Sequence, residues 1–483
     1  MRQTPAIPAS KLPSAAPRST GGSLGMDPAG RVVGALRARG ICVGMLAAGW
    51  PLALLLALVL AAGCSRVGGG ATVDDAAVPD RDAVLGAAEP NAARLPPPLV
   101  LISIDGFRAD YLERHPSPTL RRLAAEGVRA RALLPVFPTK TFPNHYTIVT
   151  GLYPEHHGIV GNTMLDPADG AWFRLSDRDA VQDGRWWGGE PIWVTAQRHG
   201  LRSATLFWPG SEAPVAGIRP TEWLPYDESM PPAARIDRAL AWLARSPRDR
   251  PSLITLYFEQ VDDAGHRHGP LAAETAQAVA EVDAVLGRLV DGLESLDLLD
   301  RVNLVVVSDH GMTEIAAERV IVLEDLIDLA GVEVVAASTF AMLRPPEGGS
   351  EALLERLRGA HPHLRVYSRS EVPVHLDYRE HPRITPIVAI ADEGWYVYPT
   401  HERARRSTPL PAGMHGYDPA VSSMHGLFVA RGPAFRSGVT LDLVRSVDLY
   451  ELMAAALGLP PAANDGDFRR IRELLSPAPE PSS

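Results

Sequence analysis

Short apolar runs, each ended by a polar residue, set the frame of the chain. Leu99-Val-Leu-Ile-Ser-Ile-Asp105, Ser252-Leu-Ile-Thr-Leu-Tyr-Phe258 and Val302-Asn-Leu-Val-Val-Val-Ser308 are apolar on nearly successive residues. Such runs predict strands covered on both faces, as in a parallel sheet. Between the second and third, Val279, Val282, Leu286, Leu289, Leu293 and Leu296 recur at alternating spacings of three and four, which predicts a helix with one apolar face. A further helix is predicted over Pro231 to Ala244, opened by Pro231-Pro232 and carrying Ile236, Leu240 and Leu243. Strand, helix and strand in this order give a βαβ unit, hence an α/β fold with a mostly parallel central sheet. Ligands in such sheets collect beyond the carboxyl ends of the strands.

One apolar stretch belongs to no strand or helix of this fold. Ile41 to Gly63 runs 23 residues without a charge, after a loose segment carrying Arg2, Lys11, Arg18, Arg31, Arg37 and Arg39 against Asp27. Basic flank, apolar core and small residues just before Cys64 resemble a bacterial lipoprotein signal, with Ala61 at the third position before the cysteine. An uncleaved anchor is the alternative, since 23 apolar residues suffice to span a bilayer. Plain secretion is a third reading; all three export the chain, and the first two place it in a bacterial envelope, periplasmic or cell-surface, tied to a membrane through an N-terminal lipid or helix. Ser65 rather than Asp after Cys64 favours the outer membrane. The expected organisation is therefore a leader over 1–63, a flexible tether over 64–98 rich in Gly and Pro, a catalytic body over 99–472 and a disordered tail over 473–483.

Composition narrows the classes. The 483 residues are 46% apolar and 22% charged, with a net charge of −10, so a globular body is expected and a stable nucleic-acid complex is not. The only cysteines are Cys42 and Cys64, both at the leader, which leaves the body without a thiol and excludes a cysteine-built metal site. Of the basic residues only Lys11 and Lys140 are lysines.

The chemistry-bearing residues fall at the predicted strand ends. Asp105 ends the first strand, Asp262-Asp263-Ala-Gly-His266 follows the second, and Asp309-His310 ends the third. Three carboxylates brought to one edge repel unless cations sit among them, and carboxylates mixed with imidazoles suit zinc or a similar borderline metal. Thr141 precedes Pro143 at a predicted helix start, where unpaired N–H groups favour an anion. A threonine there is ordinarily a cap; beside a divalent cation its hydroxyl can serve as a nucleophile.

These residues belong to longer motifs. Ile104-Asp-Gly-Phe-Arg108, Pro138-Thr-Lys-Thr-Phe-Pro-Asn-His-Tyr146, Gly151-Leu-Tyr-Pro-Glu155, Asp262-x-x-Gly-His266, Ser308-Asp-His-Gly-Met312 and His415-Gly-Tyr-Asp418 resemble the nucleotide pyrophosphatase/phosphodiesterase family of the alkaline phosphatase superfamily. The resemblance spans roughly 99–460 in the family's order. It implies an alkaline-phosphatase-like fold, with a mostly parallel sheet sandwiched by helices and a two-zinc site at the strand carboxyl ends. One zinc would be held by Asp262, His266 and His415, the other by Asp105, Asp309, His310 and the oxygen of Thr141. Two dications would balance three aspartates and a Thr141 alkoxide, and two metals about 4 Å apart clamp attacking and leaving oxygens in line.

The implied activity is hydrolysis of nucleotide phosphodiester or pyrophosphate bonds through a phospho-threonine, releasing a nucleoside 5′-monophosphate. Asn162 would donate to a phosphoryl oxygen, and Lys140 would serve phosphate charge. Phe142, Tyr226 and Tyr257 match the family's base-stacking aromatics. A phosphomonoesterase or a lipid-headgroup phosphodiesterase on the same scaffold remains the alternative. An inactive anchored binding protein is the alternative of another class, although the intact ligand set weighs against it. His425 competes with His415 for the seventh ligand position. Trp395, Tyr396 and Tyr398 read as a packing patch, His375, His381 and His401 as solvated loop histidines, and Arg403, Arg405 and Arg406 as a solvated face.

Overall fold

The computed structural model describes residues 95–407 and 409–477. The expected leader, Cys64 and the tether up to residue 94 lie outside the described residues, as does the end of the tail from residue 478. No helix among the described residues is long and apolar enough to cross a membrane.

The strands of the two larger sheets are, in chain order, β1 (Leu99–Ile104), β2 (Val128–Leu134), β3 (Ser203–Leu206), β4 (Glu222–Leu224), β5 (Leu253–Phe258), β6 (Asn303–Val307), β7 (Glu333–Ala337), β8 (Phe340–Arg344), β9 (Leu364–Ser368), β10 (Ile387–Ala391), β11 (Gly426–Arg431) and β12 (Val439–Arg445). The eight-stranded sheet has the order β12-β2-β11-β6-β1-β5-β3-β4. Its pairings are parallel except where β11 runs antiparallel between β2 and β6. The four-stranded sheet, β7-β8-β10-β9, is antiparallel throughout.

The continuous apolar runs have the predicted cause. In β1, Leu99 and Leu101 enter one core while Val100, Ile102 and Ile104 enter the other; β6 divides in the same way, with Val305 and Val307 against Leu304 and Val306. Successive side chains point to opposite faces, and helices cover both. On one face lie the helices Pro118–Glu126, Pro232–Leu243 and Ala273–Ser295, which bury Leu120, Ile236 and Leu286 among others. The long helix carries five of the six periodic positions inward, but Leu296 caps it and is exposed. On the other face the helix Thr141–Thr150 is buried from Pro143 to Thr150. The four-stranded sheet packs Phe340, Met342, Val388 and Ile390 into that same core, and turns Ala341, Leu343, Ile387 and Ala389 toward a third. At the end of the chain, Leu474 is fully buried and the Ser476 amide donates to Ala434 O at 2.9 Å.

Strand register places the site. Ile104 pairs with Phe258 and Ser103 with Val307, so Asp105, Glu259 and Asp309 emerge at one level on adjacent strands. Gly106 makes the turn after β1 at φ +68°, a left-handed conformation that glycine adopts without strain.

Candidate active site

Asp105 leaves β1 almost wholly buried, and its Oδ2 accepts a hydrogen bond from the Tyr257 hydroxyl at 2.7 Å. Asp309 accepts from the Gly106 amide at 3.2 Å through Oδ1. After β5, the helix Gln260–His268 puts Asp262 and His266 four residues apart on one face, with His266 Nε2 3.2 Å from Asp262 Oδ2. His415 arrives from a loop far along the chain, its Nε2 3.2 Å from His266 Nε2 and 3.7 Å from Asp262 Oδ1. His310 lies between the two groups. Its Nε2 is 2.9 Å from Asp309 Oδ2 and 3.5 Å from Asp105 Oδ1, while its ring stacks on His415 with centroids 3.6 Å apart.

The three predicted histidine ligands share one arrangement. Nδ1 of His266 faces Gly413 O at 2.8 Å, that of His310 faces Gly311 O at 2.9 Å, and that of His415 faces Thr139 O at 2.7 Å. Each carbonyl fixes the proton on Nδ1 and leaves the Nε2 lone pair free, the orientation that metal-binding imidazoles adopt. The buried Asp105 Oδ1, Asp262 Oδ1, Asp309 Oδ2 and His310 Nε2 have no hydrogen-bond partner. Burial and the neighbouring Asp309 and Asp262 push the Asp105 carboxyl well above its usual range. Burial works on Asp309 in the same direction, yet the His310 and His145 imidazoles hold it well below. Unpartnered acceptors, freed imidazole nitrogens and crowded carboxylates together fit divalent cations. The donor atoms of Asp262, His310 and His415 lie within 4.8 Å of one another, as do those of Asp105, His145 and Asp309.

His145 differs from the three predicted ligand histidines. Its Nε2 faces Ser103 Oγ at 2.8 Å, and its Nδ1 faces Thr141 O at 2.8 Å and Asp309 Oδ2 at 3.3 Å. Both ring nitrogens are engaged, so His145 supports Asp309 and the start of the Thr141–Thr150 helix rather than offering a free donor. The sequence reading passed over it. Its signal is the i,i+4 spacing from Thr141 within the motif.

Thr141 is the first residue of that helix. Buried Asn144 ties down the loop before it, accepting from Val136 N at 2.7 Å and donating to Val136 O, Pro138 O and Lys140 O. Asn162 Oδ1 accepts from the Phe142 amide at 3.0 Å, which holds the carboxamide beside Thr141 and leaves its NH2 as the donor. Lys140 is buried, and its Nζ donates to His415 O at 2.6 Å. Burial lowers its ammonium to about 7, against the pull of Asp262. The expected phosphate-facing lysine therefore also bonds the backbone of a candidate ligand.

The aromatics separate. Phe142 packs on Phe173 and Trp187 at 5.8 and 5.9 Å. Tyr226 meets Phe207 at 5.4 Å and Tyr257 at 6.2 Å, and its amide donates to the buried Glu212 at 3.1 Å. Tyr257, expected as a base-stacking ring, has its hydroxyl on Asp105 and its carbonyl on Arg235. Arg235 is fully buried and pairs with Glu259 at 2.6 Å, fixing the step from β5 into the helix that carries Asp262 and His266. His425 is turned away, with Nε2 3.1 Å from Pro419 O. His375 and His401 are exposed and pair with Asp418 and Asp325 at 2.9 and 2.8 Å, whereas His381 is half-buried rather than solvated. Tyr396 and Tyr398, read as packing, line a cleft that His266 and His415 also line.

The geometry agrees with comparisons to known proteins. Residues 99–418 match the family model described as type I phosphodiesterase / nucleotide pyrophosphatase. The human ectonucleotide pyrophosphatase/phosphodiesterase family member 5 is 37% identical over 380 residues, covering 79% of this chain and 78% of its own length. A Xenopus laevis protein named bis(5′-adenosyl)-triphosphatase is 37% identical over 382 residues, covering 79% and 82%. A structure of murine ectonucleotide pyrophosphatase/phosphodiesterase 5, in an inactive threonine-to-alanine form complexed with AMP, superposes with a TM-score of 0.75 at 39% identity, covering 78% of this chain and all of that one. The family is metal-dependent, and the alkaline-phosphatase-like fold is shared. A buried edge of carboxylates and imidazoles on this α/β sheet, matched along most of the chain, has one meaning: the chain belongs to the type I phosphodiesterase/nucleotide pyrophosphatase family and is an enzyme of phosphodiester hydrolysis.

Proposed function

We propose that this enzyme hydrolyses nucleotide phosphodiester and pyrophosphate bonds with Thr141 as nucleophile, releasing a nucleoside 5′-monophosphate. The observation that carries the reading is the convergence of three carbonyl-oriented histidines and three unpartnered carboxylate oxygens beside the helix that Thr141 begins. The murine relative supports it, since its threonine-to-alanine form is inactive and holds AMP.

In this reading Thr141 Oγ bonds to phosphorus, and the bond to the leaving group breaks with its electron pair on the departing oxygen. The threonine proton passes to solvent. Water then cleaves the Oγ–P bond and restores the hydroxyl. Two zinc ions, held by Asp262, His266 and His415 and by Asp105, Asp309, His310 and Thr141, would supply Lewis-acid stabilisation of the oxygens that gain charge. The nitrogen and oxygen donor set without thiolate suits zinc. Asn162, its carbonyl oxygen already bonded to the Phe142 amide, donates its N–H to a phosphoryl oxygen as charge builds. Phe142 and Tyr226 wall the nucleoside side.

Hydrolysis of the p-nitrophenyl ester of thymidine 5′-monophosphate and of p-nitrophenyl phosphate tests the assignment. The diester is expected to be much the faster; the reverse preference would identify a phosphomonoesterase. Thr141→Ala is expected to abolish turnover with metal content nearly intact, and retained turnover would remove Thr141 from the nucleophile role. From the sequence at Cys64, we also propose export with a lipid on that residue, which mass spectrometry of the mature N-terminus tests.

A further inference from the structure

We infer that Arg235, through its buried pair with Glu259, is a positioning residue that holds the two groups of predicted metal ligands at their working separation. This rests on the two-metal phosphodiesterase reading and adds a pair of residues that lies in none of the six sequence motifs.

Arg235 is fully buried in the helix Pro232–Leu243, surroundings that arginine rarely enters unless paired. Its Nε donates to Met230 O at 3.2 Å, Nη1 to Tyr257 O at 2.7 Å and to Glu259 Oε2 at 2.6 Å, and Nη2 to Glu259 Oε1 at 2.7 Å. The Phe207 and Phe258 rings lie 5.0 and 5.8 Å from the guanidinium carbon. Rings and hydrogen bonds together leave the planar fork one orientation. A buried ion pair seldom stabilises a fold more than apolar residues of the same volume would. What the pair touches points to another role.

Tyr257, whose carbonyl takes one of these N–H groups, donates its hydroxyl to Asp105 Oδ2 at 2.7 Å, and Phe258 O accepts from the Asp105 amide at 2.8 Å. The end of β5 thus holds Asp105 by side chain and by backbone. Glu259 immediately precedes the helix Gln260–His268 that carries Asp262 and His266, and its carbonyl accepts from the Asp263 amide at 3.0 Å. Only Phe258 separates Tyr257 from Glu259. By taking Tyr257 O and both oxygens of Glu259 in one plane, Arg235 fixes the angle at which the helix leaves the strand. That angle sets Asp105 on one side against Asp262 and His266 on the other. An apolar pair of equal volume would fill the space and leave the angle free. A lysine would bring one compact charge that cannot hold the three acceptors in a plane.

Zinc affinity by chelator competition, read beside thermal unfolding of the zinc-free protein, separates positioning from support. Arg235→Met leaves Glu259 without its partner and is expected to lower the unfolding temperature markedly. Adding Glu259→Leu removes both charges and should restore most of that temperature. The double variant is nevertheless expected to bind zinc about tenfold more weakly and to cleave the p-nitrophenyl ester of thymidine 5′-monophosphate with kcat lowered about tenfold, its KM little changed. Arg235→Lys should recover part of the zinc affinity. If zinc affinity and kcat return together with the unfolding temperature in the double variant, the pair is packing support and the positioning role is overturned. Should the double variant not fold, Arg235→Lys decides by the same titration, and a zinc affinity equal to that of the unsubstituted protein overturns the role. An unsubstituted protein that binds zinc without cleaving the ester overturns the phosphodiesterase reading instead, and the zinc titrations still decide the role of Arg235.

Discussion

Tyr257→Phe separates two roles for one ring. The substitution keeps the aromatic face, with its edge contacts to His145 at 5.2 Å and Tyr226 at 6.2 Å, and removes only the hydroxyl that donates to Asp105 Oδ2 at 2.7 Å. Tyr257 is 9% exposed and Asp105 1%, so water has little access to replace the lost donor. A hydrogen bond to a charged group contributes about 1.5–3 kcal/mol, and loss of an outer partner of a metal ligand lowers metal affinity about 10- to 100-fold. The expected result is a zinc dissociation constant weaker by about tenfold or more, read by chelator competition, with turnover recovered at high zinc. The KM for the thymidine ester should hold, because the ring is retained. Unchanged metal affinity would refute the structural role and leave Tyr257 as a substrate-facing ring only.

Gly106→Ala adds a Cβ 2.9 Å from both Asp262 Cα and Asp262 Oδ1 at a φ of +68°. The left-handed backbone alone costs about 1–2 kcal/mol, so thermal denaturation should show a clear loss of stability and metal analysis a deficit. His145→Phe keeps the ring volume but strips Ser103 and Asp309 of a partner; a loss of about 1–3 kcal/mol in denaturant unfolding is expected, together with slower turnover. Chelation should lower the unfolding temperature and added zinc restore it, since Asp105, Asp262 and Asp309 then face one another without a cation; equal unfolding temperatures with and without chelator would refute this.

How much of this was legible beforehand follows from the range of the interactions. β1, β5 and β6 were readable because burial on both faces writes an unbroken apolar run into a few residues. Asp105, Asp309 and His310 were readable because they end such runs, and Asp262 and His266 because they follow one, four residues apart on a short helix. The antiparallel insertion of β11 between β6 and β2 was not, since pairing partners more than a hundred residues apart leave no local mark. The same holds for the Tyr257 hydroxyl on Asp105 and for Thr339, which precedes β8 and donates to His415 O at 3.0 Å. A strand pattern shows that a tyrosine is buried, not what its oxygen meets. Tyr396 and Tyr398 do pack on each other, with centroids 4.7 Å apart, but that they also line a cleft depends on residues from distant segments and leaves no local mark.

Lys140 shows why one lysine stands in a body that otherwise uses arginine. Its Nζ and the Thr339 hydroxyl both donate to His415 O, at 2.6 and 3.0 Å, while His415 Nδ1 meets Thr139 O. The loop before Thr141 and the edge of the four-stranded sheet thus grip the same histidine from two sides. Space there is narrow. Gly416 has a φ of +114°, and a Cβ on it would lie 2.4 Å from Lys140 Cε and 2.3 Å from Thr339 Oγ1. A planar guanidinium fork needs more room than this linear chain ending in a compact head. The buried ammonium, lowered to about 7, donates to the carbonyl in either protonation state, so the grip on His415 does not depend on its charge. The lysine beside Thr141 therefore holds the His415 backbone in place.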